Sequence, residues 1–147
     1  MSQFLQRLPE FLGHHPFLAL ALAGLIAAII GNEIARRFRG FKELTPGALT
    51  LLINRESPLL VDVSSVADFE KGHIAGARHV AMSQFDPENK DLAKVREMPV
   101  ALVCKTGATS AQAAARLVKA GFTKVFVLGG GMTAWREAAL PTARGNK

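Results

Sequence analysis

The chain has 147 residues, one cysteine, a formal net charge of +6 and a sequence pI of about 10.0. A single cysteine excludes an internal disulfide framework and fits a reducing compartment, where a lone thiol can serve as a nucleophile. The basic excess does not make a nucleic-acid surface, because there is no Tyr and only one Trp to stack on bases, and Arg36, Arg37, Arg39 and Lys42 crowd into one short stretch.

Residues 1–15 read as a short N-terminal segment. Phe17 to Gly31 then carries no polar side chain. Pro16 suits the first turn of a helix, and counting from His15 to Arg36 gives enough helix to cross a bilayer, which takes ~20 residues. Residues 16–35 are therefore expected to form one transmembrane helix, with the lipid bilayer as its partner. A cleaved signal peptide is disfavoured: Glu10 offsets Arg7, no A-x-A site follows, and RRFR comes directly after the run. The helix is apolar all round and not amphipathic, which disfavours an interfacial position. Basic residues follow the span rather than precede it, so the positive-inside rule puts the C-terminal part in the cytoplasm of a bacterium, anchored by a single pass in the inner (plasma) membrane. Residues 36–44 read as a basic juxtamembrane linker.

From Thr45 the pattern becomes soluble α/β. Thr45 can cap a helix begun by Pro46, with Leu49, Leu52 and Ile53 on its apolar face. Leu59 to Val63 reads as a buried strand, and Ser64 or Ser65 opens a short helical turn. Arg78 to Ala81 suggests a brief strand, and Ser83 to Lys94 a loose helix. Pro99 precedes the strand Val100 to Val103. A helix is expected from Ser110 to Gly121, with Ser110 as its N-cap and Gly121 just past its end. Lys124 to Leu128 is a further strand, followed by Gly129, Gly130 and Gly131. A last helix runs through Trp135 to about Ala139, and Pro141 stops it. The domain thus spans 45–141, and the tail 142–147 is expected to be disordered. Apolar strands alternating with helices argue a mostly parallel sheet with helices on both faces. The carboxyl ends of such strands make the ligand crevice, and Cys104 lies at one of them.

Strand, small-residue loop and helix place the Cys104 thiol beside free N–H groups and the positive end of a helix dipole. That setting favours a thiolate and binds anions. The backbone N–H groups of Lys105, Thr106, Gly107, Ala108, Thr109 and Ser110 are the expected cradle, and Lys105 either attracts an anionic donor or is a solvated side chain. His73 reads as a structural hydrogen-bonder, Asp62 as a partner of loop amides and Trp135 as core. The four histidines show no metal-ligand spacing with Cys104, and no nucleotide-binding loop is present, so neither metal nor cofactor is expected.

GHIAGARHV (72–80), CKTGATS (104–110) and AGFTKVFVLGGGMTAW (120–135), with Asp62–Val63 after LLV, resemble the rhodanese family in order and spacing. The chain as a whole resembles the small membrane-anchored bacterial members. The resemblance implies a rhodanese-like three-layer α/β fold with a mostly parallel central sheet behind the one N-terminal transmembrane helix. It also implies sulfurtransferase chemistry: Cys104 takes sulfane sulfur from thiosulfate or a persulfide donor and passes it to a thiol acceptor. Many members carry Arg where this chain has Thr109 and Ser64, which leaves backbone amides, Thr109 and Lys105 to hold an anion. The alternative is a catalytically weak, tethered interaction module with an unidentified membrane-protein partner. A cysteine phosphatase is disfavoured, since Ser110 stands where its loop arginine would stabilise phosphoryl transfer.

Overall fold

The computed structural model describes residues 2–146; Met1 and Lys147, at the outer ends of the expected N-terminal segment and tail, lie outside them. The chain forms two compact units, the first ending at Arg39 and the second beginning at Gly40.

The first unit is two helices, α1 (Ser2–His14) and α2 (Pro16–Arg37). The helix α1 was not anticipated; Leu5, Leu8 and Leu12 recur along it at helical spacing and are all exposed. In α2, Pro16 occupies the first turn and no residue is buried. Its 22 residues correspond to about 33 Å of helix, against ~30 Å of hydrocarbon in a bilayer.

The second unit holds a five-stranded, all-parallel sheet in the order β1-β5-β4-β2-β3, with β1 Lys42–Leu44, β2 Leu59–Asp62, β3 Arg78–His79, β4 Val100–Val103 and β5 Val125–Leu128. The central strand β4 shows why the fold has three layers. All four of its residues are buried, and they alternate between two cores. Val100 and Leu102 join Val61, Ala113, Ala114 and Leu117, under helix α6 (Ala108–Lys119). Ala101 and Val103 join Leu49, Phe69, Met132 and Trp135. Those four come from α3 (Pro46–Glu56), α4 (Val66–Lys71) and, for the last two, α7 (Gly131–Glu137).

The caps follow their chemistry. The Thr45 hydroxyl accepts the Ala48 N–H at 3.2 Å, and Ser65 accepts that of Asp68 at 3.2 Å. At the end of α6, Gly121 N–H reaches Val118 O and Phe122 N–H reaches Leu117 O, both at 3.1 Å, with Gly121 at φ +94°. This is a Schellman closure, which needs a left-handed residue at that position.

Four expectations are corrected. Lys42–Leu44 is an edge strand on β5 rather than linker. The segment expected as one loose helix is a 3₁₀ turn at Met82–Gln84 followed, after Pro87, by the four-residue helix α5 (Lys90–Ala93). Helix α6 begins at Ala108 with Gly107 as its cap, so Ser110 lies inside the first turn. In the tail, Ala143 exchanges two backbone hydrogen bonds with His73, at 2.8 and 2.9 Å, and Gly145 N–H bonds Glu70 O.

Candidate active site

Cys104 follows β4 directly and is 2 % exposed. The chain then has to turn from strand into α6, and Gly107 makes that turn at φ +96°, a conformation open to glycine without a Cβ clash. The result aims two backbone donors at one sulfur. Gly107 N–H lies 3.0 Å and Ser110 N–H 3.4 Å from Cys104 Sγ. The Ser110 hydroxyl is 3.4 Å from Sγ, accepting the thiol proton, and itself donates to Gly107 O at 3.0 Å. Ser110 is fully buried, so this chain from thiol to hydroxyl to carbonyl is shielded from water. The two amides supply positive potential at the sulfur without a charged side chain.

The loop is held from below by the glycine turn after β5. Met132 N–H donates to Cys104 O at 2.9 Å, while the Thr133 N–H and hydroxyl both reach Lys105 O at 3.1 Å. The first amides of α7 therefore tie back the carbonyls at the start of the loop, which leaves the N–H groups free to face Sγ. Contact between the two turns is so close that a Cβ on Gly131 would collide with Cys104 O and sit 2.7 Å from Lys105 O. The cysteine loop and the glycine turn after β5 are thus in direct backbone contact.

Of the six amides expected at the cradle, those of Gly107 and Ser110 meet the sulfur. Among the described residues, no hydrogen bond to Sγ comes from Lys105, Thr106, Ala108 or Thr109. The Lys105 side chain turns outward, with its Nζ 3.8 Å from Asp68 Oδ1. Asp62 accepts the Ser64 N–H at 2.9 Å and the Ser64 hydroxyl through the same oxygen, the loop-amide role expected of it. His73 donates through Nδ1 to Phe69 O at 2.8 Å and stacks on the Phe69 ring at 3.7 Å. Trp135 is core, its Nε1–H on Pro141 O at 2.9 Å.

Beside the loop lies a cavity of about 190 Å³, lined by Ser64, Asp68, Lys71, Lys105, Met132 and Arg136. Sequence reading found only Lys105 of these as a site residue, because Asp68 and Lys71 sit on α4, Arg136 on α7, and only the fold brings the helices together. The hydrogen bond from the Ser65 hydroxyl, 2.8 Å from Asp68 Oδ2, holds the Asp68 carboxyl below its ordinary range. Desolvation opposes that shift, and the charges of Lys105, Lys71 and Arg136 reinforce it. No group of three or more His, Cys, Asp or Glu placed to hold a metal occurs among the described residues.

The profile of the Rhodanese-like domain family matches residues 45–138. The chain is 36% identical to the uncharacterized protein YibN of Escherichia coli (strain K12) over 142 residues, covering 96% of this chain and 99% of that one. It is 38% identical over 111 residues to the thiosulfate sulfurtransferase GlpE of Pseudomonas putida (strain KT2440), covering 72% of this chain and 96% of the relative. The crystal structure of a thiosulfate sulfurtransferase from Pseudomonas aeruginosa superposes with a TM-score of 0.63 at 27% identity, over 72% of this chain and 20% of that longer one.

Proposed function

The chain belongs to the rhodanese-like domain family, and on that premise we propose that it is a membrane-tethered sulfurtransferase that carries sulfane sulfur as a persulfide on Cys104. The observation that carries this reading is the pair of amides, Gly107 N–H and Ser110 N–H, converging on Sγ. In the first half-reaction the Cys104 thiolate attacks the sulfane sulfur of thiosulfate or of an organic persulfide. The Cys104–sulfur bond forms as the donor's S–S bond breaks, and the leaving group departs as sulfite or as a thiol that keeps the donor's proton. In the second, an acceptor thiolate attacks the outer sulfur and Cys104 leaves as thiolate. Negative charge rests on sulfur at both ends of the cycle, so fixed dipoles serve each step without rearranging. A bound sulfur lies about 2 Å from Sγ, one bond beyond a thiol that is itself almost fully buried.

The tether is α2. It is apolar from Phe17 to Gly31, with no buried residue, and Arg36 and Arg37 in its last turn are followed by Arg39 and Lys42. These features support a bacterial inner-membrane span with the domain in the cytoplasm, where a single thiol stays reduced. The test is intact-mass measurement of the full chain in detergent after incubation with thiosulfate or a persulfide donor, followed by desalting. A gain of one sulfur atom on wild type and none on Cys104→Ser is expected. Absence of the adduct with every donor refutes the carrier reading and leaves the tethered interaction module.

A further inference from the structure

We propose that the cavity beside Cys104 recognises the zwitterionic end of an amino-acid persulfide, with Asp68 taking the donor's ammonium and Lys71, Lys105 and Arg136 its carboxylate. This rests on the sulfurtransferase reading and names the donor class that would use the site. An inorganic anion gains only from the cations of a cavity's lining, and a carboxylate there works against it. This cavity carries three cations and a carboxylate, and the carboxylate is kept ionised by Ser65 and by all three cations. Inorganic thiosulfate has no cation to offer Asp68 and meets its charge as repulsion.

The ion pair already present points the same way. Lys105 Nζ and Asp68 Oδ1 are 3.8 Å apart, with 64% of the lysine and 31% of the aspartate side chain exposed. So loose and hydrated a pair contributes little, typically about 1 kcal/mol or less. A zwitterion entering between the partners exchanges that one pair for two, its ammonium on Asp68 and its carboxylate on Lys105. Arg136 is set for the second role: its Nη2 is held 3.3 Å from Gly72 O, and a guanidinium has five N–H donors in all. The volume of about 190 Å³ lies below the ~300 Å³ where sites for drug-sized ligands begin, so the occupant is small. The Met132 and Lys105 that line the cavity are also the residues through which α7 and the cysteine loop meet, which puts a seated donor next to the reacting thiol. Transfer then proceeds as above: the Cys104 thiolate takes the outer sulfur of R–S–SH, the S–S bond breaks, and R–SH departs with the proton.

Binding and chemistry are separated by two measurements on the full chain in detergent. Equilibrium binding to Cys104→Ser compares cysteine with 3-mercaptopropionate, which lacks only the amino group. Loading of Cys104 compares the hydropersulfides of the same two thiols. In both, the amino-bearing ligand is expected to be favoured about fivefold, the factor one exposed ion pair supports. Asp68→Asn should bring the ratio to about one, and Asp68→Glu should keep it above one. A ratio near one in the Cys104→Ser binding arm, or one that survives Asp68→Asn, overturns the inference even if Cys104 loads. Preferential cysteine binding without loading by either donor sustains the binding site and refutes the transferase reading.

Discussion

Replacing Gly131 by Ala tests the packing that forms the sulfur site. Gly131 sits at φ +58°, and its missing side chain is where Cys104 O and the Lys105 carbonyl lie. Alanine there bears the left-handed penalty, about 1–2 kcal/mol, plus about 1–3 kcal/mol for forcing backbone apart in a packed region. Gly121→Ala is the matched control: it has φ +94° but nothing within 4 Å of the added carbon, so only the first cost applies. Urea unfolding followed through Trp135, the only tryptophan and a buried residue of the second unit, should place Gly131→Ala about 1–3 kcal/mol below Gly121→Ala. The loading rate separates them further. Pushing the Cys104 and Lys105 carbonyls off α7 swings the Gly107 and Ser110 amides away from Sγ, and a misplacement of about 1 Å costs on the order of 100-fold. Gly121→Ala should load at the wild-type rate. Equal stabilities for the two variants, or normal loading by a folded Gly131→Ala, would refute the claim that glycine contact holds the cradle in shape.

Ser110→Ala keeps the amide on Sγ but removes the hydroxyl linking the thiol to Gly107 O; a loss of about 1 kcal/mol is expected by urea titration, and because the lost contact held the neutral thiol, mass-resolved loading should not slow. Ala139 closes α7 at φ +56°, with Ala139 N–H on Arg136 O and Leu140 N–H on Trp135 O, so Ala139→Gly should stabilise the domain by about 0.5–1 kcal/mol once the greater chain entropy of glycine is subtracted. Leu25→Arg, at the middle of α2, should lower the membrane-bound fraction on sedimentation, a central arginine costing about 2.5–3.5 kcal/mol of insertion. Asp68 is depressed below its ordinary 3.8, so its charge is present above that value and lost only as pH falls through the lower folded one. The amino-donor preference should therefore stay flat between pH 8 and 5, measured as a loading ratio, and decline only in stronger acid.

How much of this was legible in the sequence follows from how local each feature is. The run from Pro99 to Gly121 could be read almost whole, because an apolar strand, a glycine loop and an alanine-rich helix are each specified by neighbours. Its one displaced detail has a local cause too. Gly107 in the left-handed region starts the helix three residues early, so Ser110 spends its hydroxyl on Gly107 O instead of capping. Lys42–Leu44 escaped because an edge strand paired through its backbone needs no apolar alternation, and two of its three residues are exposed. The tail escaped for a similar reason, since Ala143 is ordered through backbone bonds to His73. The cavity was beyond reach in principle. Asp68, Lys105 and Arg136 are each an ordinary surface charge until parallel strand order sets α4, the cysteine loop and α7 around one end of the sheet.

That division also bears on selectivity. The groups that donate to Sγ are main-chain N–H groups, so they stabilise anionic sulfur alike whatever the sulfur was attached to. A loop arginine would have favoured a sulfonate or carboxylate held close to the thiol, and with Thr109 in that place the loop has no such preference. Discrimination among donors must then come from groups farther out. The charged side chains that line the cavity beside the loop are Asp68, Lys71, Lys105 and Arg136. Substitutions at those four positions should change which donor loads Cys104 and leave transfer itself intact, whereas changes at Gly107 or Gly131 should slow every donor by the same factor.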